Sequence, residues 1–259
     1  MNEIFSRQPS LFISHGAPNI VLYPSETRAF WQNLSAKWRR PSAILIMSAH
    51  FPATRPTFET GGHPGMIYDF GGFEPELYDM TFPAPGAPAL AEKAVELADA
   101  AGLSAAISKG RGYDHGTWVP LRVMFPQADI PVATLSVQPG ENGARHLALG
   151  RALAPLRDQG VLIVGSGGAT HNLRAFFIGE DTPPWARNFN DWLCERIEAG
   201  DAEAVAAWEQ GPDALRNHPT PEHFLPLPFA FGAGGPGARG RRLHHAFIGP
   251  ISLDAYSFG

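Results

Sequence analysis

Apolar positions along the chain fall into short unbroken runs, separated by longer stretches in which they recur every three or four residues. Runs at 10–14, 43–48, 130–137 and 161–164 have the length and the bounding turn signals of strands buried on both faces. Between them, Phe30, Leu34 and Trp38 recur every four residues ahead of Pro41, Leu90, Ala94, Leu97 and Ala101 form a stripe that ends at Gly102, and Leu149, Leu153 and Leu156 form a third. Each of these spacings predicts a helix with one buried face. Another helix is expected from about Thr117, with Trp118 and Leu121 inward and Asp114 or Thr117 as a cap, and one more with Thr220 as its cap and Pro221 as its first residue. The Gly/Pro-rich stretch "FGAGGPGARGRR" reads as a surface turn before a last strand around 246–253. This alternation predicts an α/β fold: one domain over residues 1–259, a central mostly parallel or mixed sheet, and helices on both faces. Ligands of such sheets gather beyond the carboxyl ends of the strands.

Three of the apolar runs close in the same way. "LFISHG" ends on His15, "ILIMSAHF" carries His50, and "VLIVGSGGATH" leads to His171, each imidazole following small residues that leave it room. Strands far apart in sequence therefore deliver imidazoles to one end of the sheet, which is the pattern of a metal centre. The single Cys194 excludes an intramolecular disulfide framework and any cysteine-built zinc site, so histidines and carboxylates would have to hold an ion. On the residues alone, His223 or its neighbour Glu222 could supply a further ligand. Placed in the first turn of a helix, His223 would be kept neutral by the helix dipole. His115, ahead of the helix near Thr117, and His146, on the stripe of Leu149, read first as structural. His63, His218, His244 and His245 follow no pattern distinct from surface usage.

Composition narrows the partners. With 20 Lys and Arg against 25 Asp and Glu the formal charge is -5, and no basic block occurs, so neither nucleic acid nor an anionic membrane is an expected partner. No apolar run approaches the roughly 20 residues that span a bilayer, and "MNEIFSRQPSLFIS" lacks the apolar core of a secretory signal, which predicts a cytoplasmic protein. Oligomeric state has no signature here. "GSGGAT" departs from G-x-G-x-x-G at Thr170 and no G-K-[ST] follows, so its glycines read as a means of close backbone approach rather than as a phosphate cradle. No G-x-S-x-G elbow is present. Residues 60–88 are rich in Gly, Pro and aromatics and carry little periodicity, which predicts a folded flap over a site.

Taken together, "LFISHGAPN", "ILIMSAHF", "YDFGGFEPELYDMTFPAPGAP", "YDHGTWVPL", "GSGGATHNLRAF" and "HPTPEHFLPLPFA" resemble the DODA-type (4,5-DOPA extradiol dioxygenase-like) branch of the class III extradiol ring-cleavage dioxygenases, in the same order and over nearly the whole chain. The resemblance implies that His15, His50 and His223 bind a non-haem metal, Fe(II) for activity. Zn(II) also suits three imidazoles, and His171 would then be available as a fourth ligand. It further implies that His171 is the acid/base residue, that His115 donates a hydrogen bond near the substrate, and that Tyr68 and Phe70 of the flap cover a catechol that reacts with O2. The wider class uses a carboxylate as third ligand, which keeps Glu222 in view. A zinc hydrolase with His171 or Glu222 as base, and a silent metal-binding protein, are the competing readings.

Overall fold

The computed structural model describes residues 7–179 and 181–259. Ten strands are present among them: β1 Ser10–Ser14, β2 Ala43–Pro52, β3 Thr57–Glu59, β4 Ala106–Ser108, β5 Val132–Val137, β6 Val161–Gly167, β7 Gly240–His244, β8 Phe247–Ile248, β9 Ile251–Ser252 and β10 Ala255–Phe258. The helices are α1 Glu26–Leu34, α2 Pro88–Ala100, α3 His115–Met124, α4 Gly143–Leu153, α5 Leu173–Phe177, α6 Pro184–Ala199, α7 Ala202–Ala206, α8 Ala214–Asn217 and α9 Pro226–Ala233. Eight strands form one mixed sheet in the order β4-β3-β5-β2-β6-β1-β10-β7. Its four middle strands, β5, β2, β6 and β1, are parallel, and the expected runs supply them all. Antiparallel pairing appears only toward the margins, where β3 meets β5, β10 meets β1 and β7 meets β10.

The period-two geometry of a strand sends alternate residues to opposite faces. Ile44 and Ile46 of β2 pack with Trp31 and Leu34 of α1 and Trp118 of α3, whereas Leu45 and Met47 pack with α2, α4 and α9. Helices thus cover both faces, as predicted. The contact face of α2 differs from the expected stripe: Ala91, Ala94 and Ala98 are buried, Leu90 and Leu97 flank them, and Ala101 is exposed. Alanines bring the helix close to the sheet, and the leucines close its sides.

Other expectations are corrected. The predicted strand at 246–253 is the small β8–β9 hairpin, turned at Gly249 with φ 56°, and the strands that join the sheet are β7 and β10 on either side of it. The supposed surface turn before it begins inside α9, with Phe231 and Ala233 buried, and ends in β7. The helix expected from Pro221 starts instead at Pro226; Pro221 opens a tight turn in which its carbonyl accepts from the amides of Phe224 and Leu225. Thr220 is not a cap, since its hydroxyl donates to the Glu222 carboxylate. No described helix is long and apolar enough to cross a membrane.

His146 is the core histidine that its stripe predicts. Its Nδ1 donates to the Asn142 carbonyl and its Nε2 accepts from the Gln138 amide, and burial lowers its pKa to about 4. The unfolded chain takes up this proton near pH 6.5 and the folded chain does not, so stability falls as pH drops from about 6.5 toward 4. At pH 5 the loss from this residue is about 2 kcal/mol relative to pH 7. His146→Gln keeps a donor and an acceptor but no titration. Urea unfolding at pH 7 and pH 5 should show the wild type losing about 2 kcal/mol more than this variant; an equal loss in both would refute the assignment.

Candidate metal centre

Five histidines meet above the carboxyl ends of the parallel strands. His15 follows β1 directly, His50 lies within the last turn of β2's pleat because that strand runs to Pro52, and His171 sits four residues past β6. These are neighbouring strands, with β6 between the other two. His115 is the first residue of α3, whose cap is Asp114: its carboxylate accepts from the Thr117 amide. His223 comes from the turn ahead of α9. His15, His115 and His223 are buried, and the side chain of His50 is 21% exposed.

The nitrogens converge. His50 Nε2 lies 3.1 Å from His15 Nε2 and 3.3 Å from His223 Nε2, and the rings of His15 and His223 are 5.4 Å apart. His171 stacks on His223 with ring centroids 3.5 Å apart and planes 8° from parallel. His115 lies beside His50, centroid to centroid 4.0 Å. Donor atoms cluster tightly in two further ways, as His15, His50 and His115 and as His171, Glu222 and His223. The trio His15, His50 and His223 straddles these two groups, taking His15 and His50 from the first and His223 from the second.

The environment keeps the rings neutral. Burial first, then the neighbouring histidines, pushes His15 and His223 well below the usual range. Burial and then His115 bring His50 down to about 3, and burial brings His171 to about 4 despite the opposing pull of Glu222. At neutral pH these are uncharged imidazoles with lone pairs to offer. The direction of those lone pairs follows from the partners at Nδ1. Ser166 of β6 spends its one proton on the Gly116 carbonyl, so it accepts from His15 Nδ1 at 3.0 Å. His223 Nδ1 lies 3.0 Å from the Glu222 carboxylate, and His50 Nδ1 faces the Asp69 carboxylate at 3.3 Å. A ring that gives its Nδ1 proton outward keeps its Nε2 lone pair for the centre. Two lone-pair nitrogens about 3.3 Å apart is also the separation expected of tetrahedral ligands, each about 2.0–2.1 Å from one ion. The donor set therefore fits a divalent cation, with an outer layer of carboxylate and hydroxyl oxygens against the Nδ1 atoms.

Glu222 is drawn into this layer by His223 and by the Thr220 hydroxyl. The Nδ1 and the backbone amide of His115 are both committed to Asp69 Oδ1, at 2.9 and 3.0 Å, which leaves Nε2 as the ring's other polar atom. Burial alone raises the Asp69 carboxyl, and hydrogen bonding and charge from His115 outweigh it, bringing the group to about 2.

The flap is folded, as expected. Met66 pairs with Tyr113, and the Tyr68 hydroxyl donates to the Met80 carbonyl at 2.7 Å. Phe70 packs on Tyr68, Phe73, Tyr78 and Trp118 and turns its edge to His115 at 5.8 Å. Several contributors were not singled out in the sequence. Asp69, Ser166 and Ser48, which donates to Asp114, sit in stretches whose histidines or aromatics carry the visible signal. His218, which carries no distinguishing pattern in the sequence, is buried against Phe189, Trp208 and Phe224 and contacts the Ala169 carbonyl.

Residues 10–254 match the family described as the catalytic LigB subunit of aromatic ring-opening dioxygenase. The chain is 41% identical to a Beta vulgaris protein named 4,5-DOPA dioxygenase extradiol, over 96% of each chain. It is 38% identical to the Portulaca grandiflora protein of the same name, covering 98% of this chain and 96% of that one. Among solved structures it superimposes on an uncharacterized Escherichia coli K12 protein with a TM-score of 0.82 and 33% identity, over 98% of this chain and 100% of the other.

Proposed function

The chain belongs to the LigB family of aromatic ring-opening dioxygenase catalytic subunits, within its DODA-type extradiol branch, and from that premise we propose how its residues open a catechol ring with O2. The observation that carries the reading is the convergence of three outward-anchored imidazoles, with His50 Nε2 within 3.3 Å of both partners. His15, His50 and His223 hold the ion, and Fe(II) is the metal for activity. Bound there, Fe(II) supplies a Lewis acid for the two catechol oxygens and an electron path between catechol and dioxygen. Zn(II) fits the same donors as an occupant without redox chemistry.

The rest belongs to the chain. His171 has a free imidazole stacked above His223, neutral at physiological pH, so it can take a catechol hydroxyl proton and return one when the O–O bond breaks. His115 forms a hydrogen bond with the substrate at Nε2 while Asp69 holds its other side. Phe70 and Tyr68 close the aromatic flap over the ring and keep water from the reacting atoms. The relatives carry the name of 4,5-DOPA cleavage, which makes DOPA the first catechol to test.

Anaerobic reconstitution with Fe(II), followed by a panel of catechols in an oxygen electrode, tests the reading. We expect one O2 consumed per catechol and a yellow ring-opened product; hydrolytic turnover with Zn(II) and no oxygen uptake with Fe(II) would overturn it. His171→Ala should keep its iron and lose about 10²–10⁴-fold in turnover, the usual share of acid/base catalysis. Full turnover in this variant would remove the role assigned to His171.

A further inference from the structure

The flap and the metal centre share one carboxylate. Asp69 stands between Tyr68 and Phe70, on a segment seated against the rest of the protein by the Ile67 amide to the Tyr113 carbonyl and the Tyr113 amide to the Gly65 carbonyl, both at 2.8 Å. Its Oδ1 accepts from the amide and the Nδ1 of His115, and its Oδ2 faces His50 Nδ1 at 3.3 Å. The two rings it holds are in contact but, on the reading above, do different things, one binding the ion and the other the substrate.

We propose that Asp69 is a positioning residue that couples the flap to the ion: one side chain orients the ligand His50 and the substrate-facing His115 together, so that metal affinity depends on the flap being seated and the flap is held by the loaded centre. The proposal rests on His50 being a ligand. Its physical basis is that a carboxylate at Nδ1 fixes the ring's tautomer and strengthens the lone pair at Nε2, and that such partners typically carry 10–100-fold in metal affinity. Neither neighbouring carboxylate substitutes for it: Glu222 is engaged with His223 and Thr220, and Asp114 with Ser48, Arg111 and the Thr117 amide.

Asp69→Asn separates the two functions of the side chain. The amide oxygen can keep both His115 bonds, but the NH2 group then meets the His50 Nδ1 proton, donor against donor, which favours the His50 tautomer that blocks its metal-binding nitrogen. Turning the amide over would cost two bonds to His115 to relieve one close contact with His50. Asp69→Glu restores a carboxylate on a longer arm.

The test uses Zn(II) alone, needs no turnover, and compares wild type with Asp69→Asn, Asp69→Glu and His50→Ala. Affinity is read by competition with a chromogenic chelator, and hydrogen exchange follows residues 66–74 with and without Zn(II). Asp69→Asn should bind Zn(II) about 10–100-fold more weakly, with Asp69→Glu recovering most of that loss. In the wild type Zn(II) should slow exchange in the flap, and in Asp69→Asn it should not. A purely structural aspartate would leave Zn(II) affinity unchanged and raise flap exchange equally with and without metal, and that result overturns the proposal. Loss of Zn(II) in His50→Ala with unchanged affinity in Asp69→Asn also defeats this inference while leaving the metal centre intact; wild-type affinity in His50→Ala defeats both. Should Asp69→Asn not fold, wild-type flap exchange that ignores Zn(II) is enough to refute the coupling.

Discussion

His50→Ala should lose tight metal binding and ring-opening activity together, the largest effect expected of any single side chain here. His50 is the one imidazole whose Nε2 lies within 3.3 Å of two other ring nitrogens, His15 Nε2 and His223 Nε2. Removing it leaves two ligands with a gap between them, and an ion held by two neutral imidazoles in a buried pocket has lost a third of its protein donors without water gaining proportionate access. Metal content measured after dialysis should fall to background, and kcat with any catechol by more than about 10³-fold, since no Lewis acid remains to organise the two reactants. His15→Ala should behave alike, whereas His171→Ala retains its metal. A His50→Ala protein that keeps stoichiometric metal would show that the ion is bound by another subset of the five histidines.

The second large effect comes from a residue with no functional group. Gly167 ends β6, its carbonyl accepts from the His15 amide, and the next amide, that of Gly168, donates to the His223 carbonyl at 2.8 Å. A Cβ at position 167 would lie 2.1 Å from that His223 carbonyl oxygen. The clash is with backbone, so no rotamer change relieves it. Gly167→Ala must move the His223 turn away from β6 or give up the hydrogen bond that fixes it. Overpacking of this kind costs about 1–3 kcal/mol in stability, and a shift of even 1 Å in His223 breaks the convergence on His50. We expect a lowered Tm and metal affinity reduced by at least 10-fold, of the order lost when a ligand's supporting contacts go. Calorimetry and metal titration on the variant would check both; an unchanged Tm with wild-type affinity would show that the turn yields more freely than its contacts suggest.

How much of this was legible beforehand follows from which physical signal each element carries. The four parallel strands are uninterrupted apolar runs because both their faces are buried, and such runs are visible in any sequence. β7 and β10 are short, partly polar and flanked by glycine and proline, so their pairing is decided by the sheet edge they find and not by their own composition. α9 is apolar all round and wholly buried, which removes the periodicity that would have marked its start at Pro226. The same logic applies to the site. His15, His50 and His171 stood out because each interrupts a buried run, whereas the place of His223 came from likeness to a family. Asp69 gave no signal, since one acidic residue in a glycine-rich, aromatic loop looks like ordinary solvation. Its part is set by where the flap lands, and that is a tertiary fact. The glycines at the end of β6, by contrast, were readable as a device for close approach, and Gly167 against the His223 carbonyl is that device.

Which nitrogens hold the ion is best decided by anomalous diffraction at the iron edge from crystals loaded anaerobically with Fe(II). A single peak about 2.0–2.2 Å from Nε2 of His15, His50 and His223, with Asp69 and Glu222 a further atom away, is the predicted result. A peak centred on His171, Glu222 and His223, or on His15, His50 and His115, would contradict it.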